Sequence, residues 1–244
     1  MEKAESAPAG GPAGLARNVW ETVRSLFDFR KADAALAQRI PEADLRAAAV
    51  IFAAAALLGA ALSLVVYAET LYFEAFTFKA LTEASGGVAP EPDFGSLGPF
   101  AFLVAITGVL TFFMNLFQDG IVYYALRLTG GKGTFTRQYY LSSFVALATV
   151  VSSSVLLLGP VPCMGLPAVA AYVILGFYFM FWVRCRAYAR VHDLSHLQVF
   201  TIVLLSCIPV VAILLYANGA VAGALHIPQT QALDLTNMTN ITGV

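Results

Sequence analysis

The sequence predicts an all-α, polytopic membrane helical bundle with five transmembrane helices and an N-terminal amphipathic helix. Three observations carry that expectation. Of the 244 residues, 59% are hydrophobic and only 12% are charged, with a mean hydropathy of +0.76. An ordinary soluble domain is about 25% charged, so this chain lacks the polar surface that keeps a globule in water. Five stretches reach the roughly 20 apolar residues that a helix needs to cross a bilayer. The basic residues fall on one side of those stretches at every crossing.

The elements follow in chain order. Residues 1–14, including "SAPAGGPAG", are Gly, Ala, Pro and charge. They read as a disordered lead-in, and without an apolar core they are no cleavable signal peptide. Residues 15–44 form a helical region. In "LARNVWETVRSLFDF" the residues Leu15, Val19, Trp20, Val23, Leu26 and Phe27 share one helical face, and Arg17, Glu21, Arg24, Ser25 and Asp28 share the other. Such a helix lies in the headgroup layer, docks on the ends of the bundle or binds a partner helix. Pro41 permits the turn into the membrane. Residues 45–225 hold the spans, at about 45–67, 97–126, 139–158, 166–183 and 197–216, the last extending to 225. Residues 226–244 form a tail beyond the last span.

Orientation follows from Lys and Arg, which favour the cytoplasmic side. Lys3, Arg17, Arg24, Arg30, Lys31, Arg39 and Arg46 precede the first span. Arg127, Lys132 and Arg137 lie between the second and third, and Arg184, Arg186 and Arg190 between the fourth and fifth. Only Lys79 of the 14 basic residues falls on the other side, where it accompanies Glu69, Glu74, Glu83, Glu91 and Asp93. The expected topology has a cytoplasmic N-terminus and an extracytoplasmic C-terminus.

The stretch "TGGKGTFTR" tests for a nucleotide site and fails on spacing. A Walker loop needs Gly, four residues, then Gly-Lys-Ser/Thr after a buried strand. Here Gly133 follows Lys132, and a long apolar run precedes the loop. Gly130, Gly131 and Gly133 instead read as positions of positive φ that reverse the chain in a few residues. Lys132 is set to face anionic lipid, and Thr134 or Thr136 to cap the next helix.

No catalytic constellation, cofactor motif or metal pattern is present. Cys163, Cys185 and Cys207 are isolated, with neither disulfide nor zinc spacing. His192 and His196 in "VHDLSH" stand four apart, as metal ligands on one helix do, but no third ligand or base accompanies them. Asp193 or Ser195 reads as a helix cap. In the first span Ala49, Ala53, Ala56, Gly59, Ala60 and Ser63 form a small-residue stripe of the kind that lets helices approach. Pro209 is set to kink the fifth span.

The second span carries Thr111, Asn115, Gln118 and Asp119 along one helical stripe. A carboxylate inside a span is costly in hydrocarbon and marks a functional position by default. Its neighbours are uncharged hydrogen-bonding residues, which suits interhelical contacts. On that reading Asn in place of Asp119 is expected to fold nearly normally.

"LTGGKGTFTRQYYLSSF" resembles the Yip-type domain family, five-span membrane proteins related to Ypt/Rab-interacting proteins, whose members carry a Gly-Gly-Lys/Arg-Gly-Ser/Thr-Phe turn between two membrane helices. "VRCRAYARVHDLSHLQVFTIVLLSCIP" is similar to that family's basic fourth-span exit and proline-bearing last span, with Asp193 where glycine is common. "VWETVRSLFDFRKADAAL" more loosely resembles its N-terminal helix. The likeness runs over residues 19–216. It implies a non-enzymatic protein that organises membrane or binds partners in a trafficking-like role. The surface concerned comprises Gly130, Gly131, Lys132, Gly133, Arg184, Arg186 and Arg190. Membrane lipids, a cytoplasmic protein and a second copy of the chain are the expected partners; nucleic acid, cofactors and metals are not. Ala-rich spans and short loops point to a bacterial or archaeal cell membrane, whereas the sequons at Asn237 and Asn240 point to an ER or Golgi membrane. The rival expectation is a small transporter or channel subunit that uses the Thr111, Asn115, Gln118 and Asp119 stripe.

Overall fold

The computed structural model describes residues 12–84, 97–159, 161 and 163–224. Residues 1–11 of the expected lead-in, the connection holding Glu91 and Asp93, and the tail with its sequons lie outside the described residues, while residues 12–14, expected in the lead-in, are already helix. Within them the chain is helical throughout: α1 (Pro12–Leu26), α2 (Ala32–Arg39), α3 (Leu45–Ala84), α4 (Leu97–Leu128), α5 (Phe135–Ser153), α6 (Gly165–Phe177), α7 (Arg184–His192) and α8 (His196–Ala224). A 3-10 segment, Ser154–Leu158, extends α5, and a π-helical segment, Tyr178–Val183, joins α6 to α7 without a break.

Among the described residues four helical stretches are long and apolar enough to cross a membrane: Leu45–Phe73, Gly98–Leu128, Phe135–Leu158 and Gly165–His192. The described apolar stretch of α8, His196–Pro209, is shorter, although the helix itself passes Pro209 and reaches Ala224. Three expected boundaries move. α3 runs well past residue 67. α5 starts at Phe135 because Thr134, in extended conformation, caps it by accepting the Arg137 N–H. The fourth apolar segment does not end at residue 183. It continues as helix to His192, so the Arg184–Arg190 stretch is helical and not loop.

α5 is the central element. It packs against α1, α3, α4, α6 and α7, and every residue from Gln138 to Val145 is buried. The buried core gathers at one end of the bundle, the end that carries the Thr129–Thr134 hairpin. There Val122 and Leu126 of α4, Tyr139, Leu141 and Phe144 of α5, Phe179 and Val183 of the π segment, Tyr188 of α7, and Val199 and Val203 of α8 close on one another. α3 meets this core through Ala48, Ile51 and Phe52. That face is one residue out of phase with the expected small-residue stripe, and Ala53 is exposed. Ala56, Gly59, Ala60 and Ser63 line a cleft instead.

α1 and α2 cap the hairpin end. α1 buries Val23 and Leu26, but Trp20, expected on the same face, is 60% exposed. The Tyr178 hydroxyl donates to Leu26 O, and the Phe27 ring meets Phe179 edge-on. Arg39 ties the two helices by donating to Thr22 Oγ1 and pairing with Glu42. The turn between them closes on Asp28, whose carboxylate accepts the Arg30 N–H and pairs with Lys31. These contacts hold the Asp28 carboxyl below its usual range.

Candidate functional site

The chemistry-bearing residues converge where α4, α5 and α7 meet. Asp119 is fully buried, and its Oδ1 accepts from Arg184 Nη2 at 2.6 Å and from the Tyr188 hydroxyl. Arg184 Nε in turn donates to Tyr188 Oη at 2.7 Å. Arg184 and Tyr188 stand four apart on α7 and therefore share a face. A membrane interior makes a lone charge expensive, by roughly 2.5–3.5 kcal/mol on insertion scales. Here the carboxylate and the guanidinium neutralise one another inside the protein. The π turn just before Arg184 shifts the helical register at this position, and such turns recur at functional sites.

The pair extends toward the hairpin. Gln138 Nε2 donates to the backbone oxygen of Asp119 at 2.9 Å, and Gln138 Oε1 lies 2.9 Å from His192 Nε2. His192 is wholly buried against the hairpin. α7 ends at His192 and α8 begins at His196, so the two histidines do not share a helix. His196 packs its ring on Trp182. Asp193, between them, takes a left-handed conformation with φ +56°, a position that glycine fills most easily. Ser195 opens α8 in a capping box, exchanging bonds with Gln198.

The structure splits the expected α4 stripe. Asp119 meets α7. Gln118 Nε2 reaches Ser206 Oγ and Cys207 Sγ on α8, each at 3.4 Å. Asn115 donates to Thr111 O in its own helix, and both residues line the cleft.

The basic residues divide too. Arg184 is buried and faces α4. Arg186 Nη1 pairs with Asp33 at 3.0 Å while its guanidinium covers the Trp182 ring, and Arg190 donates to Asp33 O. Arg186 and Arg190 thus fasten α2 to α7, whereas the sequence had set all three in one loop. Tyr188, Gln138 and Met180 carried no signal of their own in the sequence. Arg184 did: it is the first charge after the unbroken apolar run "YFMFWV".

The hairpin is built by close approach more than by positive φ. Gly130 alone of its glycines has φ in the left-handed range, at +98°. A Cβ on Gly131 would lie 2.7 Å from Leu126 O, and one on Gly133 would lie 2.6 Å from Val191 O. The N–H groups of Gly130, Gly131 and Lys132 donate to Arg127 O, Leu126 O and His192 O. Committed to the fold, they are not free to cradle a phosphate. Lys132 Nζ reaches Asp193 at 3.2 Å in an exposed pair.

A cleft of about 910 Å³ opens between α3, α4 and α5. Its walls are mostly apolar, and Arg184, Ser142 and Met180 lie at its hairpin-side base. The Ser63, Thr149 and Ser153 hydroxyls along it donate to their own helix backbones.

Comparison of the chain with family models, with curated proteins and with solved structures gives no match.

Proposed function

We propose that this integral membrane protein is a non-enzymatic scaffold of Yip type, with five spans, whose cytoplasmic end is a preorganised platform for a protein partner. The observation that carries the reading is the clamping of α1 and α2 onto the bundle end. Tyr178 holds Leu26 O, and Arg186 and Arg190 hold Asp33. With those ties in place Trp20 and Phe29 face outward, 60% and 72% exposed, beside Arg17, Arg24 and Arg30. Exposed aromatics among arginines are the composition of binding hot spots. A fixed platform also avoids the ordering cost of a loose arm. The Gly-Gly-Lys-Gly turn, which carries most of the family resemblance, sits at the same end.

The test is co-purification in mild detergent. The wild-type chain recovers a stoichiometric partner, and Trp20→Ser with Arg24→Ser, both at exposed positions of α1, loses it while the melting temperature holds. Equal recovery from both chains sinks the reading.

The reading also requires the hairpin end to be cytoplasmic. The native thiol of Cys163, exposed between α5 and α6, should react with an impermeant reagent from outside intact cells. Leu128→Cys, at a position 89% exposed on the hairpin end, should react only after lysis. The reverse pattern inverts the topology and removes the platform from the cytoplasm.

A second reading, a transporter or channel subunit, is favoured by the cleft that reaches Arg184. A flux in liposomes that vanishes in a folded cleft variant would support it over the scaffold.

A further inference from the structure

The cleft between α3, α4 and α5 has two unlike parts. Its walls run along α3 from Phe52 to Tyr67, about 22 Å at 1.5 Å per residue. Over that length the described hydroxyls of Ser63, Thr149 and Ser153 are turned onto their own backbones, so the surface offered to an occupant is chiefly apolar. The base is different. Arg184 lines it and is only 4% exposed.

A guanidinium carries five N–H groups. Among the described residues Arg184 directs one to Tyr188 Oη, one to Asp119 Oδ1 and one to the Met180 thioether. The thioether is a weak acceptor, and the other two N–H groups have no acceptor among the described residues. Buried donors of this kind ordinarily find a partner. The cleft is the open side from which one can come.

We propose that this cleft binds one long-chain carboxylic acid, with its carboxyl group on the spare Arg184 N–H groups and its chain along the α3–α4 wall. The volume of about 910 Å³ lies within the roughly 300–1,000 Å³ range of sites that hold a single small ligand. The head is a carboxyl and not a phosphate because Asp119 already sits 2.6 Å from the guanidinium. A carboxylate there adds a single negative charge beside Asp119. A phosphate monoester adds about 1.5 to 2.

The site is independent of the partner platform, since no residue of α1 or α2 lines the cleft. The small residues of α3 gain a purpose by it. Ala56 and Ala60, facing Gly108 on α4, and Gly59, facing Val150 on α5, leave the room that a chain fills. A Cβ on Gly108 would lie 3.9 Å from Ala56 O and from Ala60 Cβ, so the longer Gly108→Leu side chain takes up space between α3 and α4 at the cleft wall.

The experiment uses the full chain in phosphatidylcholine nanodiscs and a palmitate analogue carrying a diazirine and an alkyne. Labelling should saturate and map to cleft residues such as Thr107 and Thr111. Palmitate should compete it, hexadecanol and lysophosphatidate far less. Gly108→Leu should lose it, while Val109→Leu, on the outward face of the same helix, should keep it, with both variants melting like wild type. A double change, Asp119→Leu with Arg184→Met, should retain a saturable label but no longer distinguish palmitate from hexadecanol. Labelling that never saturates, or that survives Gly108→Leu, overturns the site. Equal competition by hexadecanol in the wild type overturns the head assignment, and stronger competition by lysophosphatidate overturns the choice of carboxyl.

Discussion

Asp119→Leu and Arg184→Met each abolish most of the folded yield, and combining them restores the larger part of it. Both side chains are almost wholly buried and lie 2.6 Å apart. Removing one strands the other inside the bundle, a loss of about 3–5 kcal/mol for such pairs. That is a large share of the roughly 5–15 kcal/mol by which a folded domain exceeds its unfolded state. Replacing both with apolar groups of similar volume removes the desolvation cost along with the attraction and is often neutral.

The rescue is incomplete here because Tyr188 loses an acceptor. Its hydroxyl donates to Asp119 and accepts from Arg184, and a buried hydroxyl left without its acceptor costs about 1–3 kcal/mol. The readouts are the monodisperse fraction on size exclusion and the melting temperature in detergent. Wild-type behaviour of either single variant would remove the ion pair from the account of stability. The pair also revises Asp119→Asn. The uncharged stripe in α4 makes Asn look like a fair replacement, but Asn leaves the Arg184 charge unmatched and is expected to destabilise almost as much as Leu.

What the sequence disclosed and what it hid differ for physical reasons. Apolar length is a local property, so α3, α4 and α5 were legible in outline, and Asp119 stood out as a carboxylate within an apolar helix. Its partner was not legible. Arg184 is 65 residues away, and it belongs to a basic cluster whose other members, Arg186 and Arg190, do face the bundle end. Statistics of charge placed all three alike; helical phase separated them. Phase also misled at α3. Ala48 and Ile51 pack, while Ala56, Gly59 and Ala60 open a cleft, because small residues admit either a neighbouring helix or empty volume. At α1 the expected apolar face divides, with Val23 and Leu26 covered and Trp20 exposed. The hairpin was recognised as a turn from its three glycines, yet the reason for two of them was tertiary, since what crowds Gly131 and Gly133 comes largely from α7.

That crowding sets the second large effect, an ordered series of alanine substitutions in the hairpin. At Gly133 the new methyl would lie 2.5 Å from Val191 Cγ1 and 2.6 Å from Val191 O. At Gly131 it would lie 2.7 Å from Leu126 O and 2.8 Å from His192 Nδ1. Two of these four atoms are backbone oxygens and cannot swing aside, so the hairpin must lift off α7, and overpacking of this kind costs about 1–3 kcal/mol or more. Lifting also breaks the Lys132 N–H bond to His192 O and loosens the cover over the buried imidazole that Gln138 holds. Gly130 differs, because the space around it is open and only its φ of +98° resists a side chain, a penalty of about 1–2 kcal/mol. Gly133→Ala and Gly131→Ala should therefore lower the melting temperature more than Gly130→Ala, and Gly130→Asn should be milder still, since asparagine visits positive φ more readily. A turn governed by backbone conformation alone would give the opposite order, with Gly130 the most sensitive. Thermal unfolding of the four variants in one detergent decides between close approach and positive φ as the reason for the glycines.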